Sequence, residues 1–300
     1  MILDIYERCN ADDGCRERWN RWESHRNTIN SVLNEKIFST AQIKDAVVLG
    51  AGRCEDIDLK FLLSHVESLT LVDYDNNSME KALERQQLST KEKDKILLKG
   101  NIEFTGFYDK DFINKVIAKI KSKEAPESVM QLVKEQLNLA QSRVKECLDN
   151  KQYSLVISGA VHSQLIVPYT ELATVDIEYQ NVMMRESGHI ANRFAENYNH
   201  VIDSLVKDGG WLFSYFDVLE LSERNNTLSY EPLINGLIAQ NEYAKIDEFF
   251  VQTGGVAGAR HGYNHLYELA EPHSPYETAW VWNFRDNRKY YIHSLCYRRS

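Results

Sequence analysis

The chain has 300 residues, 43% of them apolar, with 35 Lys and Arg against 44 Asp and Glu for a net charge of −9. That is enough apolar material for one large domain or two small ones, and no low-complexity tract or solenoid-period repeat divides it. The negative charge opposes attraction to nucleic acid or anionic lipid, although Arg16, Arg18, Arg21 and Arg26 form a local basic stretch.

No apolar run reaches the ~18 residues that a bilayer span requires, and Met1 to Glu7 lacks the basic start and apolar core of a signal peptide, so a cytoplasmic protein is expected. The five cysteines (Cys9, Cys15, Cys54, Cys147 and Cys296) are scattered, odd in number and without a CxxC pair, which predicts free thiols, no disulfide framework and no metal.

In chain order, Trp19, Trp22, Ile29, Val32, Leu33 and Ile37 fall near one face of a helix from about Arg18 to Phe38. Residues 1–40 read as a helical cover, either packed on the domain to hide its tryptophans or acting as a lid that brings Arg26 or Asn30 to a ligand carboxylate. Ala46 to Leu49 follows as a run without polar break, the pattern of a strand buried on both faces of a parallel sheet. It ends at Gly50-Ala51-Gly52, a turn where glycine permits positive φ and lets backbone approach a ligand. A second buried run, Leu69 to Val72, closes on Asp73, 21 residues beyond Gly52, the offset at which a carboxylate accepts ribose hydroxyls. A helix through Met79, Ala82, Leu83 and Gln86 leads to a third strand within Ile96 to Phe104.

From Lys110 to Asn150 the spacing predicts two helices, the second starting at Pro126 as an insertion over about 122–150. Tyr153 to Ile157 is a fourth buried strand and ends in the polar turn Ser158-Gly159-Ala160-Val161-His162-Ser163-Gln164, which faces the glycine turn if ligands sit beyond the carboxyl ends of the strands. Two helical segments, about Tyr169 to Glu186 and Ile190 to Leu205, stop at Gly209-Gly210. Trp211 to Phe216 is a fifth strand. An irregular insertion over about 218–278 holds a helix at Leu233 to Gln240 and then a stretch from Gly254 to Tyr263 that reads as a lid or binding loop. Ala279 to Phe284 and Tyr290 to Leu295, flanking Arg285 to Lys289, make a terminal hairpin.

This arrangement resembles the class I S-adenosylmethionine-dependent methyltransferases, over roughly Asp45 to Tyr297. The resemblance rests on the Gly50-Ala51-Gly52 turn, the Leu71-Val72-Asp73 strand end, the Tyr153 to Gly159 strand and turn, and the helix ending in Lys207-Asp208-Gly209-Gly210-Trp211. It implies a doubly wound α/β fold over 41–300, with a seven-stranded, mostly parallel, Rossmann-like sheet closed by an antiparallel hairpin. It also implies S-adenosylmethionine as cofactor and S-adenosylhomocysteine as product. Carried over to this chain, the cofactor contacts are Gly50, Ala51, Gly52, Asp73 and Tyr74, with Asn101 and Thr105 at the adenine and Ser158 and Gly159 beside the methyl group. The family often has an acid two residues before the first glycine and a third glycine two after the second; here those positions are Val48 and Cys54. Glu55, Asp56 or a residue of the N-terminal helix then takes the missing acid's place.

Methyl transfer is governed by alignment, so the protein mainly positions two molecules. If the acceptor is a hydroxyl or carboxyl, His162 is the natural base; the other reading makes it a hydrogen-bonded wall of the pocket. Gln164, Tyr169, Tyr215 and Tyr263 are candidate acceptor contacts. Arg260, His261, Tyr263 and His265 either hold an acidic acceptor or form a solvated loop. The expected reaction is methylation of an oxygen or nitrogen of a small molecule or short peptide, with no nucleic-acid or membrane partner. A cofactor sensor without catalysis, an aminopropyltransferase and an NAD-dependent oxidoreductase are the alternatives, the last disfavoured by Glu55 at the third position of GxGxxG.

Overall fold

Ala46 to Leu49 lacks any polar interruption because β1 (Ile43–Leu49) has a strand on each side and a helical layer on each face. A computed structural model describes residues 15–253 and 255–300, with the side chains of 15–16, 140–143 and 250–253 excepted. Met1 to Glu7, Cys9 and Gly254 lie outside the described residues, as do the side chains of Cys15, Arg16 and Ala140. β2 (Val66–Val72) and β4 (Tyr153–Gly159) flank β1 in parallel, Val48 sitting opposite both Leu71 and Ile157. β3 (Ile96–Lys99), β5 (Val206–Ser222), β6 (Tyr276–Arg285) and β7 (Arg288–Arg298) complete a seven-stranded sheet in the order β3-β2-β1-β4-β5-β7-β6. β7 runs antiparallel to both β5 and β6, so the doubly wound, Rossmann-like sheet with an antiparallel hairpin is the observed fold.

Alternate side chains of β1 feed the two faces, as the two-residue period of a strand requires. Val47 and Leu49 join a core with Val116, Val133, Phe194, Tyr198 and Leu266, whereas Ala46 and Val48 join one with Ile29, Leu33, Leu59, Leu62 and Met79. The helices Lys110–Lys121, Pro126–Cys147, Ile177–Ser204 and Ala259–Ala270 cover the first face. Leu59–His65, Asn76–Arg85 and the N-terminal helices cover the second.

Four expectations change. The N-terminal helix is interrupted at Trp22, giving Cys15–Arg21 and Glu23–Leu33, followed by a wider π-turn over Asn34–Phe38. The break foreseen between Glu186 and Ile190 is absent: Ile177–Ser204 runs through Gly188, whose cost of about 1 kcal/mol relative to Ala is small beside the burial of Tyr179, Met183, Ile190, Phe194 and Tyr198 on the same helix. β5 begins five residues before Trp211 and extends to Ser222, because the first half of β7 pairs with it as far as Arg288. Residues 218–278 are largely helical, with Glu231–Ala239, Tyr243–Thr253 and Ala259–Ala270, so Arg260, His261, Tyr263 and His265 lie on a packed helix instead of a loop.

The N-terminal helices are part of the core. Ile29, Leu33 and Ile37 are buried, Trp22 Nε1 donates to Phe284 O at 3.0 Å, and Trp280 Nε1 donates to His25 Nδ1 at 2.8 Å. Arg26 donates to Glu55 O at 2.7 Å and to Trp19 O at 2.5 Å, so its guanidinium ties helix to turn. Replacing Ile29 by Ala should lower unfolding free energy by about 2–5 kcal/mol, the cost of a core cavity, as read by denaturant titration. A change under about 0.5 kcal/mol would mean that the segment merely rests on the domain.

Candidate functional site

The carboxyl ends of β1, β2, β4 and β5 open into one cavity of about 330 Å³, within the range of small-molecule sites. Its middle is the glycine turn. Gly50 has φ +69° and Gly52 +46°, and a Cβ on Gly50 would collide with Val161 Cγ2. Asp73 holds the turn in place: its Oδ2 accepts the Gly52 amide at 2.8 Å, its Oδ1 accepts the Asp75 amide at 2.9 Å, and Ala51 N donates to Val72 O at 3.0 Å. The Tyr74 backbone adds a further hydrogen bond to the same carboxylate. Burial raises its pKa above the ordinary carboxyl value, with the backbone amides opposing. Cys54, at the position of the family's third glycine, has φ +47°, a conformation glycine adopts without strain.

Beyond β3 the wall consists of Ile102, Glu103 and Phe104, and Tyr74 lies on the same side. Glu103 Oε1 accepts from the Thr105 amide at 2.8 Å and from the Thr105 hydroxyl, while Oε2 is buried without a hydrogen-bond partner. Burial raises the Glu103 pKa. Of the two adenine-side residues expected, neither lines the cavity. Asn101 is exposed at a left-handed φ of +58°, and Thr105 is buried behind Glu103, which it orients. The carboxylate between them was not singled out by sequence reasoning; its position two residues before Thr105 is a signal visible only once the strand's end at Lys99 is known.

At the other end, Gly159, Ala160, Val161, Ser163, Gln164, Leu165 and Asp217 line the cavity, joined by Trp22, Trp282, Phe284 and Tyr290. Gln164 is the one acceptor-side candidate among Gln164, Tyr169, Tyr215 and Tyr263 that belongs to this lining. Ser158 is fully buried beneath it and pairs with Tyr198 Oη at 2.9 Å. Arg18, Arg53, Glu55 and Asp56 close the side next to the turn. Glu55 is committed to Arg18 at 3.0 Å and Arg85 at 2.7 Å, whereas Asp56, its pKa pushed up by burial to about 6, accepts the Tyr215 hydroxyl at 2.6 Å.

His162 does not reach this cavity. Its ring is 1% exposed, sits 4.4 Å from that of Phe216, and bonds through Nε2 to Asn199 Oδ1 at 2.8 Å. Gly262 of the Ala259–Ala270 helix packs so closely on it that a Cβ would overlap Cδ2. The ring thus lies in the helix-covered core behind the β4 turn, outside the lining that either expectation for His162 had placed it in. Tyr169 donates to Met183 O at 2.6 Å, Tyr263 to Glu277, and Tyr215 to Asp56; all three are buried outside the lining. His261 pairs with Glu196 at 2.9 Å and His265 lies 3.2 Å from Asn199, so these two residues join the Ile177–Ser204 and Ala259–Ala270 helices. Among the described residues no group of three or more His, Cys, Asp or Glu could hold a metal ion, and no helix is long and apolar enough to cross a membrane.

No protein-family model matches the chain, and no curated protein does. Among solved structures, it is similar to the N-methyltransferase NodS of Bradyrhizobium japonicum, at 12% identity and TM-score 0.39 over 92% of this chain and 97% of that one. It is also similar to a SAM-dependent methyltransferase of Methanosarcina mazei, at 10% identity and TM-score 0.39 over 86% and 93%. A third, the methyltransferase domain of a bacterial Hen1, shares 12% identity at TM-score 0.37 over 90% and 96%. With scores this low, the fold assignment rests on the chain's own strand order.

Burial pushes the His162 pKa from 6.5 down to about 4. The unfolded imidazole takes up a proton below about pH 6.5 and the folded one only near 4, so its contribution is present above pH 6.5 and lost as pH falls through that window. The stability of wild type relative to His162→Gln should fall by up to about 3 kcal/mol between pH 6.5 and 4, measured by urea titration at each pH. A difference independent of pH would contradict the buried, neutral assignment.

Proposed function

We propose that this chain is an S-adenosylmethionine-dependent methyltransferase acting on an oxygen or nitrogen of a small molecule or short peptide. The observation that carries the reading is one continuous cavity joining Glu103, Asp73, the Gly50–Gly52 turn and the end of β5. The residues fit that cofactor. Glu103 Oε2 is an orphaned acceptor for an exocyclic amine, the Asp73 carboxylate lines the cavity where ribose hydroxyls would lie, and glycine at position 50 lets the turn pass close against Val161. Asp56 answers a ligand ammonium; Arg18, whose Nη2 has no hydrogen-bond partner, answers a carboxylate. S-adenosylmethionine supplies a methyl group on a positively charged sulfur, and its net positive charge suits a lining with four acids around the turn and the nucleoside end (Glu55, Asp56, Asp73 and Glu103) and two arginines (Arg18 and Arg53).

The chain's own task is to bind, align and exclude water. Asp73 and Glu103 fix the nucleoside end, the turn bars the cavity floor, and the aromatic residues near Asp217 keep the acceptor end dry. His162 plays no part in proton transfer under this reading.

Isothermal titration with S-adenosylhomocysteine should show one site. Asp73→Ala should weaken it by about 10- to 100-fold, the loss of two charge-assisted hydrogen bonds. NAD should bind neither protein measurably. Binding of NAD with no response to S-adenosylhomocysteine would overturn the assignment.

A further inference from the structure

At the β5 end of the cavity a buried carboxylate and an aromatic wall meet. Asp217 is 8% exposed, lines the cavity, and its Oδ1 has no hydrogen-bond partner. Four aromatic side chains line the same end. Trp22 meets Trp282 edge-on at 4.7 Å, Trp282 meets Phe284 at 5.0 Å, and Phe284 meets Tyr290 at 5.2 Å, all centroid distances. These residues come from the junction between the two N-terminal helices, β6 and β7, and none is needed for the nucleoside end of the proposed site.

An unsatisfied buried carboxylate is costly unless a ligand group completes it. The groups around Asp217 narrow what that ligand is. Ser163, on the turn after β4, is its hydrogen-bonding neighbour, Glu220 on β5 repels its charge, and the Tyr290 phenol faces it from β7. No cation neutralises it in these contacts, so the complement is a positively charged donor. Aromatic faces and edges favour the same partner, since ring quadrupoles attract ammonium ions and the rings pack an apolar substituent.

Building on the methyltransferase reading, we propose that Asp217 with Trp22, Trp282, Phe284 and Tyr290 forms the acceptor subsite, and that it selects a primary or secondary amine carrying an apolar group. Asp217 binds the ammonium nitrogen and accepts a proton from it: an N–H bond breaks, an O–H bond forms on the Asp217 carboxylate, and nitrogen keeps the electron pair. Burial pushes the Asp217 pKa up to about 7, which brings it closer to an amine's than an exposed carboxylate's would be.

The probes are two matched pairs, phenethylamine with 2-phenylethanol and cyclohexylmethylamine with cyclohexylmethanol, titrated at pH 8 with tryptophan fluorescence as readout. S-adenosylhomocysteine affinity is measured on the same samples by calorimetry. Wild type should bind each amine about 10-fold or more tightly than its alcohol, as a charge-assisted contact implies. Asp217→Asn should reduce that preference below about 3-fold while leaving S-adenosylhomocysteine affinity unchanged. Phe284→Leu, which keeps the carboxylate, should weaken phenethylamine and retain the amine preference. Alcohols binding as well as amines, amines failing to bind, or an undiminished preference in Asp217→Asn would each overturn the subsite. If S-adenosylhomocysteine binds but the amine preference is absent, the subsite falls and the cofactor reading stands. If the preference is present without S-adenosylhomocysteine binding, the cofactor reading falls alone.

Discussion

The hydrogen bond from the Gly52 amide to Asp73 Oδ2, at 2.8 Å, is the constraint on which the rest depends. It joins the end of β1 to the end of β2 at the point where both strands stop pairing and the backbone must turn. Without a partner, the Gly52 amide would be a buried donor and Asp73 a poorly compensated charge, each costing on the order of 1–3 kcal/mol. Joined, they set the left-handed turn at Gly50 and Gly52 and keep the Asp73 carboxylate in the lining of the cavity. The second oxygen fixes the Asp75 amide, and Asp75 in turn caps the Asn76–Arg85 helix by accepting from Ser78 N at 3.0 Å. One carboxylate thus ties a turn, two strand ends and a helix start.

Around that hinge the cavity holds more acid than it neutralises. Burial raises Asp56, Asp73, Glu103 and Asp217 alike, because each loses hydration that its hydrogen bonds only partly replace. Glu55 is clamped between Arg18 and Arg85. A pocket of this kind is a poor place for an anion and a good one for a ligand that carries positive charge at more than one point. The aromatic wall adds desolvation at one end and leaves the other polar. Its position depends on the N-terminal helices staying docked, since Trp22 is held by Phe284 O and Arg26 by Glu55 O.

The parallel strands were legible because each was an unbroken apolar run bounded by glycine or a polar turn, and Asp73 because its offset from Gly52 reflects the length of one strand–helix–strand unit. Gln164 was legible from its strand-end position. The place of His162 was not: Val161 and Ser163 on either side of it line the cavity, but within the short 3₁₀ turn His162–Gln164 its ring packs against Phe216 and Gly262. Thr105 was close in sequence yet one layer too deep, with Glu103 in front of it. The aromatic wall draws on Trp22 and on Trp282, Phe284 and Tyr290, so its assembly is a product of tertiary packing. The spacing of Trp282 and Phe284 at i and i+2 does place both on one face of a strand, which is the part that periodicity reveals. Within 218–278 the helix expected at Leu233 to Gln240 is observed as Glu231–Ala239, whereas Ala259–Ala270 was hidden by the glycines around Gly255 and Gly258, which punctuate the segment without preventing that helix from starting.

The most direct test is a crystal structure of the chain with S-adenosylhomocysteine. The account predicts ribose hydroxyls on the Asp73 carboxylate, the adenine beside Ile102, Glu103 and Phe104, and the sulfur near Gly159 with its open side toward Asp217. A nucleoside bound elsewhere, or one whose ribose avoids Asp73, would contradict it.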